Sequence, residues 1–372
     1  MVSRIKLEEI NSYLFKGKSI LVFGARQVGK TCLIKAAIKS FPFIWMNGDE
    51  TDTQILLENI TTDRLRALVG EKKILVIDEA QMIHNIGLLI KRMVDSFPEI
   101  QVIASGSSAF ELADKTKESM VGRKEEIQLF PLTYNEMIAH TNFVEETRMV
   151  PHRLVFGYYP EVVNNPGKEE KVLNDLTDAF LYKDILNLEG VKKSATLQKL
   201  VKMLAFRIGS EISFISLAND LGINRLTVEK YIDILEKNFI VFSLHTFSRN
   251  QDNELKKGRK VYFWDNGLRN RIVQNFKHIE LRDDVGALWE NFVVSERKKK
   301  LIYENQYKDT FFWRNTQQAE IDFLEVRNGD IDAYEIKYSP KQKVRFTKSF
   351  TGKYLPKSTN VIHKENFWDF LI

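Results

Sequence analysis

The segment Gly24-Ala25-Arg26-Gln27-Val28-Gly29-Lys30-Thr31 constrains this chain more than any other. It follows Ser19–Phe23, a short, mostly apolar run of the kind a buried parallel strand requires, and leads into Thr31–Ile38, which reads as a helix. Strand, loop and helix in this order fit the phosphate-binding spacing G-x-x-x-x-G-K-[ST]. The two glycines let the backbone turn tightly with its N–H groups pointing inward at an anion. The helix N-terminus adds a partial positive charge. Lys30 is expected to reach the outer phosphates and Thr31 to sit on Mg2+. The expected cofactors are therefore ATP and Mg2+, and the expected nucleotide-binding residues are Gly24, Ala25, Arg26, Gln27, Val28, Gly29, Lys30, Thr31 and Cys32.

A second element supports the first. Lys72–Gln81 reads as a buried strand ending in Asp78 and Glu79. Asp78 is expected in the magnesium shell, and Glu79 is expected to polarise the attacking water; an acid pair can also begin a helix, where it suits the dipole. A third apolar run, Gln101–Ala104, ends in Ser105-Gly106-Ser107-Ser108. Ser107, with Ser105 in reserve, is the candidate sensor of the terminal phosphate, because ligands bind outside the carboxyl ends of parallel strands. A serine cap on the next helix is the other reading. Gly122-Arg123 precedes a further strand-like run, Glu126–Phe130. Arg123 is either a charge-neutralising arginine, in its own subunit or in a neighbour's, or an ordinary surface arginine.

With these residues the chain resembles the bacterial and archaeal AAA-type ATPases that join an N-terminal ATPase module to a C-terminal domain of unknown function. The resemblance rests on Gly24–Thr31, Ile74–Gln81, Ser105–Ser108 and Gly122-Arg123. It extends through Gly157-Tyr158-Tyr159-Pro160-Glu161 and Leu181-Tyr182-Lys183-Asp184-Ile185. It implies ATP binding without naming a substrate.

Beyond residue 130 the apolar positions Leu173, Leu176, Phe180 and Leu181 follow helical spacing and predict a helical connector or lid. Ile215–Gly222 reads as a short helix stopped by glycine, Asn224 as the cap of a longer helix from Arg225 to Asn238, and Phe239–Leu244 as a strand. That order is a winged-helix pattern. Arg225, Thr227, Lys230 and Tyr231 then face a DNA groove, or the segment serves packing or partner contact.

Further on, Ala319–Val326 and Ile331–Tyr338 flank Asn328-Gly329, a strong two-residue hairpin signal. A turn there sets Asp322 opposite Glu335 and Glu320 opposite Lys337. All four fall on one face, with Ile321, Phe323, Tyr334 and Ile336 on the packing face. Facing carboxylates repel, so a cation is expected between them, either Lys337 or a second divalent metal. Asp322, Glu335 and Lys337 are similar to the motif of the PD-(D/E)xK nucleases, and Glu290 is the candidate helical acid. A solvated charged face is the plainer reading.

The chain has 372 residues, which predicts several packed units. The expected fold class is α/β. It comprises a P-loop parallel-sheet ATPase domain (1–130), a helical connector (131–205) with a winged helix (206–250), and an α/β PD-(D/E)xK nuclease-like domain (251–372). Cys32 is the only cysteine, so no internal disulfide or thiolate cluster can form, which suits a cytoplasmic setting. The six histidines are scattered, with no two spaced as metal ligands on one element. No apolar run is long enough for a membrane span, so no membrane partner is expected. Net charge is +5, and residues 251–372 carry 23 Lys and Arg against 18 Asp and Glu while the rest is balanced. Two functional classes follow. One is an ATP-driven machine or switch on nucleic acid, with or without nuclease activity. The other is an ATP-dependent switch that binds a protein partner. The expected partners are nucleotide, DNA or a protein, and a homo-oligomer if Arg123 acts between subunits.

Overall fold

A computed structural model describes residues 2–58, 60–106, 120–179, 194–248 and 258–372. Ser107 and Leu181–Ile185 lie outside these. Two compact units result: Met1–Pro131 with Lys237–Phe239, and Leu132–Glu236 with Ile240–Ile372.

In the first unit, β1 (Ser19–Gly24), β2 (Phe43–Asn47), β3 (Ile74–Asp78), β4 (Gln101–Gly106) and β5 (Lys124–Leu129) form a parallel sheet. Their order is β2-β3-β4-β1-β5. A parallel sheet covered on both faces requires strands that are apolar at every position. β1, β3 and β4 meet this with buried runs such as Ile20-Leu21-Val22 and Ile74–Ile77. Because β4 lies between β1 and β3, with Val22 opposite Ser105 and Ile77 opposite Ala104, three strand ends meet along one sheet edge. That edge carries the glycine loop, Asp78 and Ser105.

The second unit begins with helices, Tyr134–His140, Phe143–Phe156, Pro160–Asn164, Glu169–Thr177 and Ser194–Phe206 among them. Its sheet contains β6 (Glu211–Ile212), β7 (Val241–Thr246), β8 (Arg259–Phe263), β9 (Asp309–Arg314), β10 (Glu320–Arg327), β11 (Asp330–Ile336) and β12 (Ser358–Ile362). The order is β12-β11-β10-β9-β7-β8-β6. β7 and β8 thus share a sheet with β9–β12, and that sheet runs through the boundary expected near residue 250. Between β6 and β7 lie two helices, Phe214–Leu221 and Arg225–Lys237. The first ends at Gly222 in the left-handed region, and the second is capped by Asn224, whose Oδ1 accepts the Thr227 N–H at 2.7 Å. Tyr231 is buried, with Val228, Ile232 and Leu235, so it cannot face a DNA groove. Helical spacing puts it on the core stripe three residues after Val228.

The Asn328-Gly329 hairpin has positive φ at both residues, and its register sets Phe323 opposite Tyr334 and Arg327 opposite Asp330. The charged face is not solvated, however: Asp322 and Glu335 are 5% and 7% exposed. An irregularity in the β9–β10 pairing between Ile321 and Leu324 also puts both residues in one core cluster with Trp313, Ala333 and Phe350. A bulge of this kind breaks strict alternation, so Ile321 leaves the face of Phe323.

Gly157-Tyr158-Tyr159-Pro160 ends one helix and starts the next. Gly157 has φ +74°, and a Cβ there would collide with the Asp265 carboxylate. Asp265 Oδ2 accepts the Tyr158 N–H at 2.6 Å, and Oδ1 accepts the Leu268 N–H at 3.0 Å. Both tyrosines are buried. Gly157→Ala is expected to destabilise the second unit by about 2–4 kcal/mol, through positive-φ strain plus displacement of a buried carboxylate. A denaturant midpoint unchanged from wild type would refute this.

Candidate functional site

The loop between β1 and the helix Lys30–Ile38 is shaped by its glycines. Gly29 is the helix N-cap at φ +97°, which only glycine adopts without strain, and Gly24 leaves no room for a Cβ against the Leu129 carbonyl. Arg4 braces the loop from outside: its Nη1 donates to Val28 O and its Nη2 to Phe130 O, each at 2.6 Å. Nothing in the spacing of the motif points to a residue twenty positions upstream, and Arg4 was missed for that reason.

Lys30 is buried, and its Nζ donates to the carbonyls of Gly24 (2.9 Å) and Ala25 (3.0 Å). Burial pushes its pKa down, opposed by the nearby Glu79 and Asp78 carboxylates. Thr31 Oγ1 donates to Asp78 Oδ2 at 2.9 Å, and Ser105 Oγ donates to Asp78 Oδ1. Asp78 therefore stands between the first helical turn and the end of β4. Glu79 follows in the left-handed region at φ 49°, a conformation costing on the order of 1 kcal/mol for a non-glycine residue. Gln81 Nε2 donates to its Oε2 at 2.6 Å. Gly48 packs its backbone on this turn, its N–H donating to Asp78 O at 2.7 Å, and a Cβ there would meet the Glu79 carbonyl.

Of the expected residues, Gly24 to Cys32, Asp78, Glu79 and Ser105 gather at one sheet edge. Arg123 does not. Its carbonyl accepts the Ser19 N–H at the far end of β1, about 16 Å of strand from the glycine loop, and its Nε donates to Asp95 at 2.5 Å. In a parallel sheet the residue before β5 lies at the edge opposite the loops, so Arg123 cannot serve the site of its own subunit.

The second unit holds an acid cluster. Lys337 Nζ lies 2.7 Å from Asp322 Oδ2 and 2.9 Å from Glu335 Oε2. Asp322 Oδ2 also accepts the Ile336 N–H at 2.8 Å. Glu290 comes from the helix Val285–Tyr303, which is set against β8 by Asn291. The Asn291 Oδ1 and Nδ2 bond the Phe263 N–H (2.8 Å) and carbonyl (3.0 Å). Glu290 Oε1 accepts from Tyr262 Oη at 2.7 Å and from Lys260 Nζ at 3.1 Å. Lys260 also pairs with Glu320 and lies 4.0 Å from Asp322 Oδ1. Lys260 and Tyr262 share a face of β8 through strand alternation; no motif in the sequence marked them. Glu290, Asp322, Glu335 and Lys337 are thus brought together, with Glu320 and Lys260 added.

Burial pushes the Glu335 carboxyl up from about 4.5 to about 7, aided by the Asp322 charge and opposed by Lys337. Burial also raises Glu290, against the pull of Lys260. For Asp322 burial acts upward too, but Lys260 and Lys337 outweigh it and hold the carboxyl below its usual value.

A glycine loop before a helix, with an aspartate two strands away across β4, defines a P-loop nucleotide-binding domain. Residues 16–138 match the AAA domain family, which supports an AAA-type, ATP-binding ATPase domain in this part of the chain. Residues 147–278 and 285–367 match two families described only as domains of unknown function, DUF8612 and DUF4143. The chain is 27% identical over 328 residues to an uncharacterized protein of Mycobacterium tuberculosis, covering 87% of this chain and 71% of that one. It is 24% identical over 356 residues to an uncharacterized protein of Methanocaldococcus jannaschii, covering 80% and 73%. Among solved structures it is similar to a Walker-type ATPase of Pyrococcus abyssi, with TM-score 0.51, 16% identity and coverage of 73% and 96%. At that identity the likeness speaks for the fold. No helix among the described residues is long and apolar enough to cross a membrane.

The Glu335 shift has a sign that can be measured. A carboxyl raised in the folded state adds stability that is fully present below its ordinary value near 4.5 and lost as pH rises through about 7. Between those limits the wild type is expected to lose on the order of 2–3 kcal/mol relative to Glu335→Gln, measured as denaturant midpoints at matched pH. A difference between the two proteins that does not change with pH would count against the assignment.

Proposed function

We propose that the N-terminal unit is a Mg2+-dependent ATPase and that its nucleotide state governs nucleic-acid binding by the C-terminal unit. The observation that carries the first part is the set Thr31–Asp78–Ser105, hydrogen-bonded at the sheet edge where Lys30 is buried in its loop. These residues fit a nucleoside triphosphate with its metal. The amides from Ala25 to Cys32 cradle the phosphates, and Lys30 neutralises the outer ones. Thr31 and Asp78 hold Mg2+, which supplies charge neutralisation across the phosphates when bound. Glu79 orients and polarises the attacking water, its strained backbone aiming the carboxylate. Ser105 senses the terminal phosphate, with Ser107 the second candidate. Arg123 serves, if any site, that of a neighbouring copy in a homo-oligomer.

The nucleic-acid part is supported by the cationic excess of the last third and by the winged-helix order of β6, the two helices, β7 and β8. Arg225 and Lys230 stand exposed on the second helix, while Arg225 also pairs with Glu229 at 2.9 Å. A protein-binding reading is favoured by Ile215 and Leu226, which stand 61% and 73% exposed on the same two helices. The convergence of Asp322, Glu335, Lys337 and Glu290 supports a PD-(D/E)xK-like core in either case.

ATP hydrolysis, measured with and without DNA, is expected to be stimulated by DNA in the wild type. It should fall by roughly 10²-fold or more in Lys30→Ala. Turnover equal to wild type in that variant would overturn the ATPase reading. DNA binding by the full chain should weaken steeply with salt, since phosphate contacts release counterions. Salt-insensitive capture of a protein, with no DNA affinity, would favour the second reading.

A further inference from the structure

We infer that the ammonium of Lys260 is the resident cation of the C-terminal acid cluster, seated among Glu290, Glu320 and Asp322 where a divalent metal would have to bind. The inference concerns the second unit alone and goes beyond the ATPase reading.

A nuclease-like arrangement needs a 2+ ion held by carboxylate oxygens at metal–oxygen distances of roughly 2.0–2.6 Å. Here each of the four carboxylates already has an oxygen engaged by an N–H or O–H donor, and the charge a metal would neutralise is met by two ammonium groups. Glu290 Oε1 takes Lys260 and Tyr262, Glu320 takes Lys260, and Asp322 Oδ2 takes Lys337 and the Ile336 amide. Glu335 takes Lys337. Among the described residues no three His, Cys, Asp or Glu side chains are disposed to hold a metal ion.

Lys260 is not a mobile surface group that an arriving ion could push aside. It is 1% exposed on β8, between β6 and β7, and its Nζ lies 5.5 Å from the centre of the Phe312 ring. Burial alone would drive its pKa down, but Glu290, Asp322 and Glu320 more than offset this and hold it above the ordinary lysine value. Displacing it would strand a buried charge, and adding a metal beside it would crowd a dication against two ammonium groups. The residues present do not fit a divalent metal while Lys260 is there.

The test uses the full chain without nucleotide, with Mn2+ as the probe and bound ion counted by electron paramagnetic resonance. Wild type and Asp322→Asn are expected to bind the same amount of Mn2+, since the cluster contributes none. Lys260→Ala removes the internal cation and is expected to gain one site, at least about tenfold tighter than any wild-type background, which the added Asp322→Asn change removes. Wild-type Mn2+ binding that Asp322→Asn abolishes would overturn the inference, as would a Lys260→Ala protein with wild-type circular dichroism and no added site. If Lys260→Ala does not fold, the comparison of wild type with Asp322→Asn decides by itself. Equal binding upholds the inference, and a loss refutes it.

Discussion

The carboxylate of Asp78 is the fixed point of the N-terminal unit. It accepts hydrogen bonds from Thr31 on one side and Ser105 on the other, and its own carbonyl receives the Gly48 amide. Four segments far apart in the chain are held to one position by these bonds. They can meet only because the strand order puts β4 between β1 and β3. A parallel sheet places all its carboxyl ends along one edge, so a polar residue at the end of each strand is brought to its neighbours without a long loop. The apolar runs that bury the sheet and the polar residues that end it are two consequences of one pattern.

The C-terminal unit is organised by the cost of burying charge. The helix Val285–Tyr303 has almost no solvent face, yet it carries Glu290, Asn291, Glu296, Arg297 and Lys299. Each is matched: Asn291 to the Phe263 backbone, Arg297 to Glu325 at 2.5 and 3.0 Å, Glu296 to Lys299 at 2.7 Å and to the Tyr134 amide. A buried ion left without its partner is strongly destabilising, so the Arg297–Glu325 pair, together with the Asn291 bonds to Phe263, ties this helix to the sheet.

These differences set how much could be read from the sequence. The phosphate loop was legible because its glycines and lysine answer to local geometry, and the strand before it is apolar throughout. The Asn328-Gly329 turn was legible for a similar reason, since two residues needing positive φ fix the register of everything beyond them. The burial of Asp322 and Glu335 was not. Alternation gives which residues share a face; whether a face meets solvent or a helix thirty residues upstream is a tertiary fact. Tyr231 failed likewise, an amphipathic aromatic whose spacing from Val228 marks the core side. Arg4 and Lys260 carry no motif, because the groups their side chains bond in the site lie 24 or more positions away.

The two acid-bearing sites differ in what their lysines hold. Lys30 is bonded to two neutral backbone carbonyls, weaker partners for an ammonium than an anionic phosphate oxygen. Lys260 and Lys337 are bonded to carboxylates, among which the ammonium charge is already compensated. A buried lysine resting on neutral acceptors is poised for an anionic ligand, whereas one locked among acids completes a structure. In the function proposed above, the same side chain thus binds a ligand in one unit and is part of the frame in the other, and the charge of its resting partners separates the two.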